Sequence, residues 1–494
     1  MKKHTNKRTT PSNFIGSLVR VFATMLAGVL ITLLVGFILY LNNQPDLSVW
    51  HTAELDEEFK VDSPVKRFED YLALEERLFT QLSDKVYANI RPEERHMINR
   101  YNRDSLSDPN RWPTQWNRSF EMAVSKPIAG VLLLHGLSDS PYSLRHLGER
   151  LSASGSHVLG LRIPGHGTAP SGLVRVKWED MAAAAKLAMH HLREKLGNRP
   201  LYIVGYSNGG ALAMHYILST LGDDSLPRVS GVVLISPEIG IAKKAALASW
   251  QGRIGRLLSL PKLAWTSVLP EYDPFKYNSF AVNAGEQAYR LTAEIQDQIT
   301  KYTNADVLSQ LTRILAFQSV VDATVRAPAL IEGLFERLPP GKHELVLFDI
   351  NRVEAIHPII DTGPRDVIAA LLKKSDLHYI LTLISNESVN SRKVAVYQRV
   401  PGNEDNIVTP LDLVWPEGVY SLSHIALPFT YNDPLYGGDD AGESPGIQIG
   451  NVVLRGEKGV LRVNPASLLR LHWNPFYDYM EQRVLQFMAL SRQN

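Results

Sequence analysis

Hydrophobic and polar positions follow three rhythms along this chain. The first is a single apolar block, VFATMLAGVLITLLVGFILYL, 21 residues from Val21 to Leu41 without a charge. The second, over 42–125, is polar with helical spacing: in RFEDYLALEERLFTQLSDKVYANI the residues Phe68, Tyr71, Leu72, Leu78 and Leu82 recur as on one face of a helix. Turn-rich sequence with Pro109 and Pro113 follows and reads as a connection. From Pro127 short apolar runs ending in turn residues alternate with helix patterns. IAGVLLLHG, HVLGLRIPGHG, LYIVGYS, VSGVVLISP and RILAFQSVVD are expected strands. WEDMAAAAKLAMHHLREKLG, with Gly197 as its C-cap, and NGGALAMHYILSTL are expected helices. Alternation of this kind predicts an α/β protein: a mostly parallel sheet with helices on both faces and its site at the carboxyl ends of the strands.

The alternation breaks twice. Residues 240–310 have helical patterns, prolines and aromatics but no clear strand, and are expected to form a helical lid over the site. Residues 350–420 read as a second, irregular insertion containing two strand-like runs, HYILTLIS and KVAVYQRV. The expected order is therefore a short N-terminus (1–20), an apolar anchor (21–41), a helical extension (42–125), a first core part (126–239), the lid (240–310) and a second core part (311–494).

Composition changes this picture at three points. With 45% hydrophobic and 21% charged residues and a net charge of +1, there is no electrostatic reason to expect a nucleic-acid partner. Cysteine is absent, which excludes disulfides, thiolate metal sites and a cysteine nucleophile and suits an oxidising compartment. The apolar block matches the ~20 residues a membrane helix needs. Lys2, Lys3, Lys7, Arg8 and Arg20 precede it, whereas Asp46, Glu54, Asp56, Glu57 and Glu58 follow. The positive-inside rule then predicts a single-pass protein with a cytoplasmic N-terminus and its bulk outside the cytoplasm, on the periplasmic side in a Gram-negative cell. A cleaved signal peptide is the alternative, but its apolar core would be only ~7–15 residues long.

Candidate chemistry centres on Gly205-Tyr206-Ser207-Asn208-Gly209. A Gly-x-Ser-x-Gly match has mechanical meaning when a strand precedes it and a helix follows, as here. Serine attacks only when a base takes its proton, and that base is normally a histidine oriented by a carboxylate. On such a fold the acid and then the histidine follow the serine in the chain. Asp322, just past LAFQSV, is the preferred acid, with Asp349 after ELVLFD as its rival. His424, in VYSLSHIALPF, is the preferred base; His343, His357, His378 and His472 remain open by position. The oxyanion donors expected are the backbone N–H groups of Asn208 and of Leu137, which follows Gly136 in LLLHGLSDSP. His135 reads as a structural hydrogen-bonding residue.

Taken together, LLLHGLSDSPYS, LRIPGHG, IVGYSNGG, SVVDATV and SLSHIALPF resemble the α/β-hydrolases of the monoacylglycerol lipase and lysophospholipase type. The resemblance covers roughly 127–340 and the segment around His424. It implies a Ser207–Asp322–His424 triad, oxyanion donors at Leu137 and Asn208, and no metal or organic cofactor. Compact family members keep the acid and histidine much closer than the 102 residues found here, and residues 430–475 have no counterpart in the pattern. The expected function is membrane-anchored hydrolysis of carboxylic esters, with a small-molecule or lipid ester as substrate. A peptidase or acyltransferase on the same fold, or a non-catalytic tethered binding protein, are the alternatives.

Overall fold

Aliphatic runs whose every residue is buried form the centre of the sheet, because such strands are stable only when both faces are covered. The computed structural model describes residues 11–240, 260–304, 306–353, 368, 371, 374, 376–403, 405–450 and 461–490. Its strands are β1 Phe120–Met122, β2 Ala129–Leu134, β3 Ser156–Leu161, β4 Leu201–Tyr206, β5 Gly231–Ile235, β6 Trp265–Ser267, β7 Phe280–Ala281, β8 Ile314–Ser319, β9 Glu344–Phe348, β10 Ile380–Asn386, β11 Lys393–Arg399 and β12 Ile407–Val414. Ten of them form one sheet in the order β1-β3-β2-β4-β5-β8-β9-β10-β11-β12; β6 and β7 pair separately. From β3 through β10 all neighbours are parallel. Antiparallel β1 closes one edge and the antiparallel β11 and β12 the other. Register keeps the carboxyl ends level, with Leu134 opposite Gly205, Tyr206 opposite Ile235 and Ile235 opposite Phe317.

Alternate residues of each central strand face opposite ways and build two cores. Leu132 and Leu134 of β2 join one with helices α4, Trp178–Leu196, α5, Asn208–Ser219, and α6, Val282–Asn304. Val131 and Leu133 join the other with α3, Arg145–Ala153, and the late helix α8, Tyr477–Phe487. Earlier in the chain lie α1, Pro11–Asn43, and α2, Phe68–Lys85; α7 is Ala327–Gly333. Gly197 ends α4 with φ +58°, a left-handed value that favours glycine.

The polar extension is joined to the core by one buried cation. Arg162, fully buried after β3, donates from Nε to Glu75 of α2 at 3.0 Å, from Nη2 to Glu58 at 2.9 Å and from Nη1 to the His166 carbonyl at 2.9 Å. Tyr71 Oη donates back to the Arg162 carbonyl at 2.6 Å. Removing one member of a buried ion network strands the others without compensation, so Arg162→Ala should lower stability by about 3–5 kcal/mol. Urea unfolding with circular dichroism checks this; a loss below about 1 kcal/mol would refute the interlock.

Three expectations change. The region 350–420 is not wholly an insertion, because HYILTLIS is β10, a parallel neighbour of β9, and KVAVYQRV is β11. Strand β12 escaped the pattern because Pro410 interrupts it; it lies at the sheet edge, where proline is tolerated. In 240–310, residues 241–259 lie outside the described residues. The rest is partly integral, since Leu291, Ile295 and Ile299 of α6 belong to the main core. Helix α1 runs unbroken for 33 residues. Among the described residues no helix is long and apolar enough to cross a membrane, so the spanning segment expected at 21–41 is not supported there.

Candidate active site

Strand β4 ends at Tyr206, and the chain reverses at once into α5. Ser207 makes that turn with φ +54° and ψ −118°, strained for a residue bearing a Cβ. Its N–H donates to the Ile235 carbonyl at 2.9 Å, and its carbonyl accepts from Glu238 N–H at 3.1 Å. The flanking glycines permit the turn: a Cβ on Gly205 would overlap the Gly209 carbonyl, and one on Gly209 the Leu134 carbonyl.

Asp322 and His424 meet beside this turn. His424 Nδ1 lies 2.7 Å from Asp322 Oδ2, both residues being buried. The carboxylate is held from four directions: Oδ2 also accepts from Gln318 Nε2 at 3.0 Å, and Oδ1 accepts from the Thr324 and Val325 N–H groups at 2.8 and 2.9 Å. Burial pushes the Asp322 carboxyl up, but the His424 hydrogen bond and charge, with the two backbone donors, outweigh it and hold it below the usual range. His424 is placed against the nucleophile's neighbour. The Tyr206 and His424 rings lie 5.3 Å apart, and Tyr206 Oη donates to the His424 carbonyl at 3.4 Å. Ser319 Oγ donates to the Leu422 carbonyl at 2.8 Å, fastening the histidine loop to the end of β8. The recorded hydrogen bonds of His424 include none to Ser207 Oγ among the described residues; such bonds often tighten only when substrate is present.

The rivals are occupied elsewhere. Asp349 pairs with Arg352 and accepts from Ser385 Oγ at 2.6 Å. His343 immediately precedes β9, at the amino end of the sheet, and burial pulls its pKa down to about 4. His378 bonds the Phe335 carbonyl at 3.1 Å. His357 lies outside the described residues. His472 lines a cavity beside Tyr206 and stacks on Tyr436.

Leu137 and Asn208, the residues expected to stabilise an anion, both lie close to Ser207. A Cβ on Gly136 would come 3.2 Å from Ser207 Cβ, so the Gly136-Leu137 loop runs against the nucleophile. Asn208 is the first residue of α5, where N–H groups have no helical partner. His135 is structural: Nε2 accepts from Ile163 N–H at 3.1 Å, Nδ1 lies 2.9 Å from the Gly136 carbonyl, and burial holds the ring neutral. Two neighbours had no sequence signal. Gln318 props Asp322 from within β8, and Glu238 sits behind Ser207 with its carboxyl pushed up to about 7 by burial and then by Asp322.

A serine on a strand–elbow–helix turn at the carboxyl edge of a parallel sheet, with an Asp–His pair beside it, is the arrangement of the α/β-hydrolase fold. Residues 125–349 match the family described as Serine aminopeptidase, S33. The chain is 29% identical over 234 residues to the thermostable monoacylglycerol lipase of Bacillus sp. (strain H-257), covering 47% of this chain and 80% of that enzyme. It is 25% identical over 132 residues to phospholipase YtpA of Bacillus subtilis (strain 168), covering 24% of this chain and 45% of that protein. The structure of Paleococcus ferrophilus monoacylglycerol lipase is matched at 19% identity and a TM-score of 0.35, over 47% of this chain and 88% of that one. The protein has an α/β-hydrolase fold and is similar to monoacylglycerol lipases.

Proposed function

We propose that this protein is a membrane-anchored serine hydrolase that cleaves carboxylic esters of lipid-like substrates. The Asp322–His424 pair beside the strained Ser207 turn carries the reading. Ser207 Oγ attacks the ester carbonyl while His424 takes its proton, Asp322 fixing the ring. The N–H groups of Leu137 and Asn208 hold the oxyanion. His424 returns the proton to the departing alcohol, and water repeats the cycle on the acyl-enzyme. The remaining part of 240–310 serves as a cover: its loop residues Tyr272 and Lys276 line the cavity next to Tyr206.

The anchor rests on α1. Leu18, Phe22, Met25, Leu26, Ile31 and Leu33 are each at least half exposed on it, a cost in water that a bilayer removes. The charge asymmetry around it supports a catalytic domain outside the cytoplasm.

The test compares long-chain monoacylglycerol, a short soluble ester and an aminoacyl amide on the full-length protein in detergent. Highest kcat/KM on the long ester is expected. Preference for the short ester would overturn the lipid reading, and turnover confined to the amide would replace the esterase by a peptidase. Removing residues 1–43 should move the protein from the membrane fraction to the soluble one on cell fractionation; retention in membranes would refute the anchor.

A further inference from the structure

A buried carboxylate beyond residue 349, where the family match ends, reaches back to the loop beside Ser207. Asp433 is 2% exposed, and both of its oxygens are taken. Oδ1 accepts from Tyr142 Oη at 3.0 Å and from the Leu435 and Tyr436 N–H groups at 2.9 Å each. Oδ2 accepts from Arg145 Nη2 at 2.9 Å. Arg145 opens α3; its guanidinium carbon lies 3.7 Å from the centre of the Tyr142 ring, and Nη1 donates to the Tyr142 carbonyl at 3.2 Å. Water cannot replace either partner of so buried a pair, so any other placement of the two loops strands a charge.

The loop held in this way is the one expected to supply an oxyanion donor. It runs from Gly136, against Ser207, through Leu137 to the short helical turn Pro141–Leu144. Ser138, next after Leu137, is buried with φ +60°, a left-handed value that costs energy in a residue bearing a Cβ. Such a conformation persists only where the surroundings enforce it. Here the Ser138 carbonyl accepts from Tyr277 N–H at 2.7 Å, and Tyr142 stacks on Phe275. Asp433 supplies the remaining hold, at Tyr142 and Arg145. The same carboxylate is tied to His424, which precedes it in one compact run of chain. Phe429 N–H donates to the Ala426 carbonyl at 3.1 Å and Asp433 N–H to the Thr430 carbonyl at 3.2 Å. Asn474 fastens that run from outside, donating from Nδ2 to the Leu427 carbonyl at 3.3 Å and from its N–H to the Phe429 carbonyl at 2.9 Å.

We infer that Asp433 is a positioning residue: through Tyr142 and Arg145 it sets the Gly136-Leu137 loop against the His424 loop, so that the Leu137 N–H and His424 engage one substrate carbonyl together. This rests on the serine-hydrolase reading above, with Leu137 as oxyanion donor and His424 as base. The segment after residue 430, which has no counterpart in the family pattern, thereby becomes part of the framework of the site. Donors aimed at a developing oxyanion act only when they are fixed before the reaction begins, which is what a buried ion pair between two loops provides.

Asp433→Asn, Arg145→Met and the double variant would be compared with the wild type as full-length protein in detergent. Asp433→Asn keeps the volume and a carbonyl oxygen for the Leu435 and Tyr436 N–H groups, but turns an NH₂ on the Arg145 fork. The double variant removes both charges and strands neither. Active sites are counted by the final stoichiometry of fluorophosphonate labelling, so that unfolded protein does not enter the rates. Per labelled site, the second-order labelling rate constant and kcat on a carboxylic ester should each fall about tenfold to a hundredfold in either single variant, with KM within about threefold of wild type, as for a small misplacement remote from the chemistry. Inhibition by a trifluoromethyl ketone, which places an oxyanion in the site, should weaken by the same factor. The double variant should lose no more than the worse single one, because the two residues act through one contact. Wild-type rate constants per site in Asp433→Asn and in the double variant, with only a lower melting temperature, would make Asp433 purely structural and overturn the inference; so would losses that multiply in the double variant. A wild type that is labelled but cleaves no carboxylic ester would sink the ester reading alone, and the labelling rate constants would still decide the role of Asp433. A wild type that neither labels nor cleaves would overturn both.

Discussion

Ser207→Ala is expected to abolish labelling by a fluorophosphonate probe and to lower kcat on a carboxylic ester on the order of a million-fold, the scale at which triad nucleophiles act. The probe reacts only with an activated hydroxyl, so it reads the nucleophile independently of the natural substrate. The change removes one oxygen from a residue that is 7% exposed. The left-handed backbone at this position is as strained for alanine as for serine, so the melting temperature should stay within a few degrees of wild type. Labelling that persists in the variant at wild-type intensity would remove Ser207 from the reaction.

Asp322→Asn should retain KM within a few-fold and lose about 10⁴ in kcat, because the amide favours the wrong histidine tautomer. The local contacts sharpen this. Oδ1 would still accept from Thr324 and Val325, which turns the new NH₂ towards Gln318 Nε2 and His424 Nδ1, both of which donate to Oδ2 in the native site. Asp349→Asn makes the contrast: it disturbs the bonds to Arg352 and Ser385 and should appear in the urea midpoint rather than in kcat. Should the Asp349 variant fold normally and lose kcat while the Asp322 variant keeps it, the acid has been misassigned. The ionisation has a fixed sign. A carboxyl held below its ordinary range adds stability above about pH 4 and loses it as pH falls through the folded value. Activity through the neutral range should therefore carry no limb from Asp322.

The elbow was legible because its requirements are local. A buried strand, two glycines where backbones touch and a helix pattern lie within twenty residues around Ser207. Asp322 was proposed from its place after β8, and the structure sets it against His424. The histidine was harder, since position alone left five candidates; in the fold His343 lies at the other end of the sheet, His378 bonds the Phe335 carbonyl, and His424 meets Asp322. The late strands were obscure for another reason. Nothing in HYILTLIS says that it pairs with β9, because that pairing depends on residues far away in sequence. The cavity was invisible, being assembled from loops near 139, 275, 430 and 470 whose aromatic contacts, such as Tyr142 stacked on Phe275 at 4.1 Å, no periodicity encodes. Arg162 gave no signal either. A lone arginine in LRIPGHG does not announce that it joins two glutamates from the extension.

The four strands β9 to β12 lie between Asp322 and His424, which are 102 residues apart, and Tyr206 is bonded to His424 across 218. At about 5–20 residues per second, a ribosome completes the elbow roughly 10–40 s before it supplies His424. On the proposed triad, the nascent chain holds its serine unactivated through that interval, and the histidine loop cannot dock on Ser319 until β8 is laid down. Compact hydrolases that keep acid and base close together leave a shorter delay. On the proposed mechanism, an interrupted or clipped chain ending before His424 carries an inert elbow, so a stalled product does not attack the esters around it during synthesis.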